Sequence, residues 1–440
     1  MSTARDLIRT NVGPQSGLIF SMKFDTDSPF RPTGWNKCTN YSTQKFEQTS
    51  VNTPVNAFGS TVDFKPPKIN DLNGFVALQI PISAVTKGTN ASDTYFEDYL
   101  ACHLPNHITV SHTTNQLVRI DGNVLKPKYV MNNDFRRKKQ TDPMLLGNLS
   151  VTQRQVLATV PQVAFLPLNG LLWFTYSTSN FYPVQFFAQE LLFQVTFRNL
   201  NEVLHSNHTV GGTPPSCSIS TQTIKDVSYP LALVWTLIHI TGDERLDRAR
   251  IYEGKGLMVP YKEYKLQPRI TVPANFRGTF LARLTSLKDQ ISELFFIIRR
   301  QSDVSNQYKN RLNRYLSYVS CSFSGNGGQM VAPMTKEYID QYMREMYHSS
   351  ISTTTDNIGF IPFAWIPEDP VNNTGSIHLG VISDPTLEIN FGTAEGHSTG
   401  YDALNGVGEF STPENLYIEV FTDVFQWIHY IGGDATKIFT

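Results

Sequence analysis

The 440-residue sequence predicts an all-β protein built as two tandem sandwiches. One plan is laid down twice, a stretch of Pro and aromatic residues followed by a stiff alternating strand. The first copy is Val163-Ala-Phe-Leu-Pro-Leu-Asn-Gly-Leu-Leu-Trp-Phe174 ahead of 190–200, and the second is Ile358-Gly-Phe-Ile-Pro-Phe-Ala-Trp365 ahead of 386–391. The length fits two domains of about 200 residues, each able to bury a core without staples. Aromatic residues make up 12% and charged residues only 17%, a balance that suits wide apolar sheet faces and a surface given over to assembly.

Period-two alternation, β-branched and aromatic enrichment and bordering turn residues place the strands. In the first half they fall near 59–66, 73–83, 107–121, 155–164, 169–176 and 189–199. The loop from Asn132 to Asn148 carries the one clear charge run, Arg136, Arg137, Lys138 and Lys139. Gly211-Gly-Thr-Pro-Pro-Ser-Cys217 marks the best domain boundary. The expected organisation is an arm over 1–29, a first sandwich over 30–205, a linker over 206–224 and a second sandwich over 225–440.

In the second half strands are expected near 228–241, 259–270, 278–285, 292–300, 314–323, 358–366, 376–383, 385–392 and 415–431. One helix interrupts them after Pro333, capped by Thr335, with Met334, Tyr338, Tyr342, Met343 and Met346 forming an apolar stripe that predicts a packed insertion. In the last strand the even positions from Leu416 to Tyr430 are mainly apolar. The odd positions mix Tyr417, Phe421, Phe425 and Trp427 with Glu419, Asp423 and His429. Both faces therefore meet protein, and so long a strand belongs inside its sheet, where its edges are paired.

Charge and motifs exclude several function classes. Net charge is −1, from 37 basic and 38 acidic residues, so no overall field draws the chain to nucleic acid, and specific nucleic-acid binding is not expected. The cysteines, Cys38, Cys102, Cys217 and Cys321, lack metal-knuckle spacing and read as reduced thiols. Cys102, His103 and His107 are separated by Leu104 and Pro105, which removes the helical spacing a metal needs. Arg5, Asp6 and Arg9 interrupt any secretory apolar core, and no segment is long and apolar enough to span a bilayer. Asp243, Glu244 and Asp247 alternate with Arg245, Arg248 and Arg250, which suits a self-neutralising turn or a subunit contact better than a pair of catalytic carboxylates. No catalytic residue, cofactor or metal is expected.

The ordered series of segments resembles the double jelly-roll major capsid proteins of nucleocytoplasmic large DNA viruses and their smaller relatives, in the lineage of adenovirus hexon and tailless-phage capsids. The likeness runs through Phe165 to Phe174, Phe181 to Phe187, Leu191 to Phe197, Leu237 to Arg245, Ile291 to Arg300, Ser324 to Gly327, Asp356 to Phe363, Gly375 to Leu379 and Ile428 to Gly433. The chain lacks that family's small-residue run after the closing glycines and its Trp in the 292–298 strand, so the resemblance implies a divergent member.

The resemblance implies two eight-stranded antiparallel jelly rolls in tandem with a short helical insertion. It also implies a homotrimeric capsomer in the virion of an icosahedral double-stranded DNA virus, assembled in host cytoplasm or nucleus. Its expected partners are copies of itself, neighbouring capsomers, penton and minor capsid proteins, and an internal membrane reached by the arm. Assembly contacts are expected at the arm, Arg136 to Lys139, Asp243 to Arg250 and the helix 335–347. The alternatives are a minor capsid or scaffold protein of the same fold, and a tandem carbohydrate-binding or glycoside-processing sandwich using Trp173, Trp235, Trp365 and Trp427.

Overall fold

The computed structural model describes residues 18–438 apart from 26–27, 40, 53–55, 89–90, 114, 133–138, 177–179, 188–189, 209–216, 220–228, 241–244, 247–248, 251–252, 255, 275, 306, 309, 349–356, 368, 370–373 and 393–413. Sixteen of its strands form two sandwiches with one topology. In the first they are β1 (Tyr41–Thr49), β2 (Thr61–Phe64), β3 (Leu72–Ile82), β4 (Pro105–His112), β5 (Asn115–Asp121), β6 (Gln162–Pro167), β7 (Leu191–Phe197) and β8 (Ala232–Ile240). In the second they are β9 (Leu257–Leu266), β10 (Thr279–Arg283), β11 (Gln290–Arg300), β12 (Ser320–Gly325), β13 (Gly328–Thr335), β14 (Gly359–Pro362), β15 (Thr386–Asn390) and β16 (Leu416–Ile431).

The first sandwich has sheet orders β1-β8-β3-β6 and β2-β7-β4-β5, and the second has β9-β16-β11-β14 and β10-β15-β12-β13. Counted within each half, both read 1-8-3-6 and 2-7-4-5, and every one of these pairings is antiparallel, so each half is a jelly roll. Alternation decides which side chains enter the core. In β7 Leu191, Phe193, Val195 and Phe197 point inward and are buried, and Phe193 meets the Trp235 ring of the opposite sheet edge-on at 5.4 Å. In β16 both neighbours are present, β9 on one side and β11 on the other, as its two-faced pattern requires.

Several expectations change. The strand expected to open the second half, β8, instead pairs with β1 and β3 and completes the first roll's sheet. Its apolar face, Leu233, Trp235 and Leu237, is what that sheet lacks. The described parts of 206–224 also belong with the first half, since Leu204–His208 pairs with Ala91–Phe96 and Cys217–Ile219 pairs with Val85–Lys87. Residues 18–25 and 28–39, partly assigned to the arm, form an antiparallel hairpin.

The strand expected over 155–164 begins instead as a helix, α2 (Val151–Thr159), and α1 (Gly122–Asn132) precedes it. Ser150 and Gln153 form a capping box that holds the first turn of α2. No strand forms over 169–176, where the chain turns through Leu172 and Trp173. In the second roll α3 runs from Lys336 to His348 with a π-turn at Ile339–Met343, and Thr335 accepts from the Tyr338 amide as expected of its cap. The π-turn rotates the helix. Ile339 and Met343 are buried, while Tyr338, Tyr342 and Met346 are exposed, so most of the expected core stripe faces out.

In both rolls a helix follows the fifth strand without an intervening residue, α1 after Asp121 and α3 after Thr335. At the first junction Gly122 is required by space, because a Cβ there would lie 1.9 Å from the Pro105 carbonyl oxygen of the neighbouring strand.

Candidate assembly surfaces

The two rolls are joined by a buried seam in which the first roll presents β5 and α1 to the outer face of β9, β16 and β11. Tyr261 on β9 donates its hydroxyl proton to the Leu117 carbonyl of β5 at 3.1 Å. From α1, Lys128 donates to Glu293 of β11 at 2.8 Å and lies 4.8 Å over the Tyr264 ring. Asn123 Oδ1 accepts from Arg198 of its own roll at 2.8 Å and from Arg299 of β11 at 3.4 Å. At one end Trp173 donates its indole N–H to the Tyr430 hydroxyl, and His112 lies 2.7 Å from Asp434.

This seam is rich in buried charge. Glu293 is fully buried, with Lys128 on one oxygen and His348 of α3 at 2.8 Å on the other. Burial alone would raise its pKa, but Lys128 and His348 outweigh that and hold the carboxyl well below the usual range. Glu419 is likewise held low, its burial outweighed by Arg299 and Arg269. Asp423 goes the other way: burial raises it, only partly offset by Lys262 at 3.5 Å. One carboxylate, Glu293, thus ties together a helix of each roll and a central strand. Isolated charges could not remain there, because desolvation opposes them.

The sequence-predicted contacts are scattered. Arg136, Arg137 and Lys138 lie outside the described residues, and Lys139 is exposed in a short helical turn. Asp243, Glu244, Asp247 and Arg248 lie outside them too. Arg245 reaches back within the chain, 2.7 Å from buried Asp71, whose second oxygen accepts from the Ile240 amide. Arg250 is exposed. Cys102 and His103 are buried in the turn Leu100–His103, with His107 on β4, and no metal-binding cluster occurs among the described residues. Of the four tryptophans weighed as sugar platforms, Trp173 and Trp235 are core residues, while Trp365 is exposed.

The seam residues Lys128, Glu293 and His348 were not anticipated. The available signal was an acid within an apolar strand, Glu293 in Ile291 to Ile298 and Glu419 and Asp423 in β16. Such an acid is expected to be paired. Its partners come from remote helices and carry no local mark.

No family model matches the sequence, and no curated protein does. Solved structures do match. VP54 of PBCV-1, in a crystal structure fitted into a reconstruction of the virophage Sputnik, is 13% identical over 92% of this chain and 98% of its own, with a TM-score of 0.66. The Faustovirus major capsid protein is 9% identical over 89% of this chain and 90% of its own, with a TM-score of 0.61. The mavirus major capsid protein is 9% identical over 90% of each chain, with a TM-score of 0.56. The likeness spans both rolls and shows that the chain has the double jelly-roll fold.

Proposed function

We propose that this double jelly roll is the major capsid protein of an icosahedral double-stranded DNA virus, and that three chains form a pseudo-hexameric capsomer that tiles the shell. The observation that carries the reading is the repeated strand order. Two rolls of identical topology in one chain make two similar corners, and threefold rotation turns them into six. The fold neighbours support it, since those from Faustovirus and mavirus are major capsid proteins.

On this reading the protein is structural and resides in the virion. Its partners are further copies of itself, adjacent capsomers and the penton and minor proteins that complete a shell, with an internal membrane within reach of the N-terminal arm. The segments Arg136 to Lys139 and Asp243 to Arg250 are proposed as assembly contacts, within the trimer or between capsomers. Light scattering on the purified protein tests the reading: a particle of three 49.6 kDa chains is expected, and a strict monomer at all concentrations would overturn it.

A further inference from the structure

Inside the seam a lysine amine, a hydroxyl and a carboxyl stand in contact, closed off from water. Lys262 of β9 places its Nζ 3.5 Å from Asp423 Oδ2 of β16, with side-chain exposures of 1% and 0%. Ser292 of β11 bridges them: its hydroxyl accepts from Lys262 Nζ at 3.1 Å and donates to Asp423 Oδ2 at 3.3 Å. Glu293 stands directly opposite Asp423 in the register of β11 with β16, so the two acids are cross-strand neighbours. The Phe425 ring lies 4.9 Å from Lys262 Nζ. The first roll closes the site from the other side, where the Tyr176 hydroxyl donates to the Lys262 carbonyl at 3.1 Å and Lys128 donates to Glu293 at 2.8 Å.

Such a setting favours the neutral forms of both partners. Desolvation disfavours an ammonium and a carboxylate alike, and a lysine amine stripped of water is a nucleophile. Burial raises the Asp423 carboxyl, Lys262 offsets this only in part, and the Glu293 charge pushes it the same way as burial. The second oxygen of Asp423, Oδ1, is buried and accepts no hydrogen bond among the described residues, which an ionised carboxylate would require. Two other Lys–Asp pairs, Lys265–Asp289 and Lys336–Asp340, are both more exposed, and water reaches their charges.

We propose that Lys262 and Asp423 condense to a side-chain amide, an isopeptide bond that fastens the first strand of the second roll to its last. Ser292 relays both protons. The first passes from the ammonium through the Ser292 hydroxyl to Asp423 Oδ2, leaving an amine and a carboxylic acid. The amine nitrogen then attacks Cγ to form the new N–C bond, and a second proton follows the same relay to Oδ2. That oxygen departs as water when its bond to Cγ breaks, and Oδ1 becomes the amide oxygen. No oxidant, cofactor or second substrate enters. Holding the reactants in contact removes the entropic cost that a free amine and acid would meet. Tyr176 and Lys128 belong to the first roll, so the site is complete only when the two rolls have closed on each other. The cross-link is thus a covalent lock set by correct folding, and it does not depend on the capsomer reading.

Mass spectrometry of the intact, purified full chain under denaturing conditions tests it. The expected mass is that of the sequence less one water, and a protease digest should contain a branched peptide that joins Lys262 to Asp423. Lys262→Met and Asp423→Ala should each return the full sequence mass. Ser292→Ala, which removes the relay and keeps both reactants, should leave most chains uncross-linked soon after purification. Circular dichroism identifies folded protein, and the decisive reading needs no variant. Folded wild type at the full sequence mass overturns the proposal and leaves an ordinary buried ion pair. A lost water that the digest places elsewhere, at Lys128 and Glu293 or in a cyclised aspartate, overturns it as well. Cross-linking as complete in Ser292→Ala as in wild type overturns the proposed route.

Discussion

At the scale of single residues, the buried ionisable groups determine how the protein responds to acid and to mutation. His103 is buried beside Glu97, and burial lowers its pKa to about 3, whereas the unfolded chain titrates near 6.5. Its folded pKa is the lower one, so the stability tied to neutral His103 is complete above about 6.5 and is lost as pH falls toward 3. Glu97, lowered to about 2 because His205 outweighs burial, loses its contribution further down, as pH falls from about 4.5 through 2. Asp303, raised to about 6 by burial, opposes them, since its penalty appears as pH rises through 6. Comparing His103→Gln with wild type isolates the first effect: wild type should lose about 2 kcal/mol more than the variant between pH 7 and 5 in chemical denaturation. Equal losses would contradict it. Lys128→Met should destabilise by about 3–5 kcal/mol, because it leaves Glu293 buried with only His348, and adding Glu293→Leu should restore part of the loss.

At the scale of elements, the junction between β5 and α1 is the sharpest test. Gly122→Ala forces a methyl group onto the Pro105 carbonyl, so a loss of about 1–3 kcal/mol is expected by denaturation, and an unchanged midpoint would count against the packing described. The elements also show why the sequence was legible in some places and not in others. Strands with one apolar face, β7 and β16, were readable because their alternation coincides with burial. β1 was not, since Tyr41-Ser-Thr-Gln-Lys-Phe-Glu-Gln-Thr49 is mostly exposed and offers only Phe46 to the core. The strand expected over 155–164 gives way to α2, whose start is marked in the sequence by Ser150 and Gln153, the residues of its capping box. α3 was located correctly, but the π-turn that rotates its apolar stripe outward has no sequence mark.

At the scale of the whole molecule, what stayed hidden is what depends on contacts distant in sequence. A jelly roll returns its last strand beside its first, so β8 lies 183 positions after β1 in the paired register Ala232–Thr49 and still belongs to the same sheet. Chain order alone assigned it to the second half. The duplication itself was legible because each roll repeats the same local punctuation, and so the fold was legible from the series of segments. The seam between the rolls was less so, because Lys128 and His348 meet Glu293 only in the folded chain. The central claim is that three such chains make one capsomer. Averaged electron micrographs of the purified protein, viewed down the particle axis, test it most directly: six density lobes related by threefold symmetry are expected, whereas isolated two-lobed particles or twofold dimers would contradict the account.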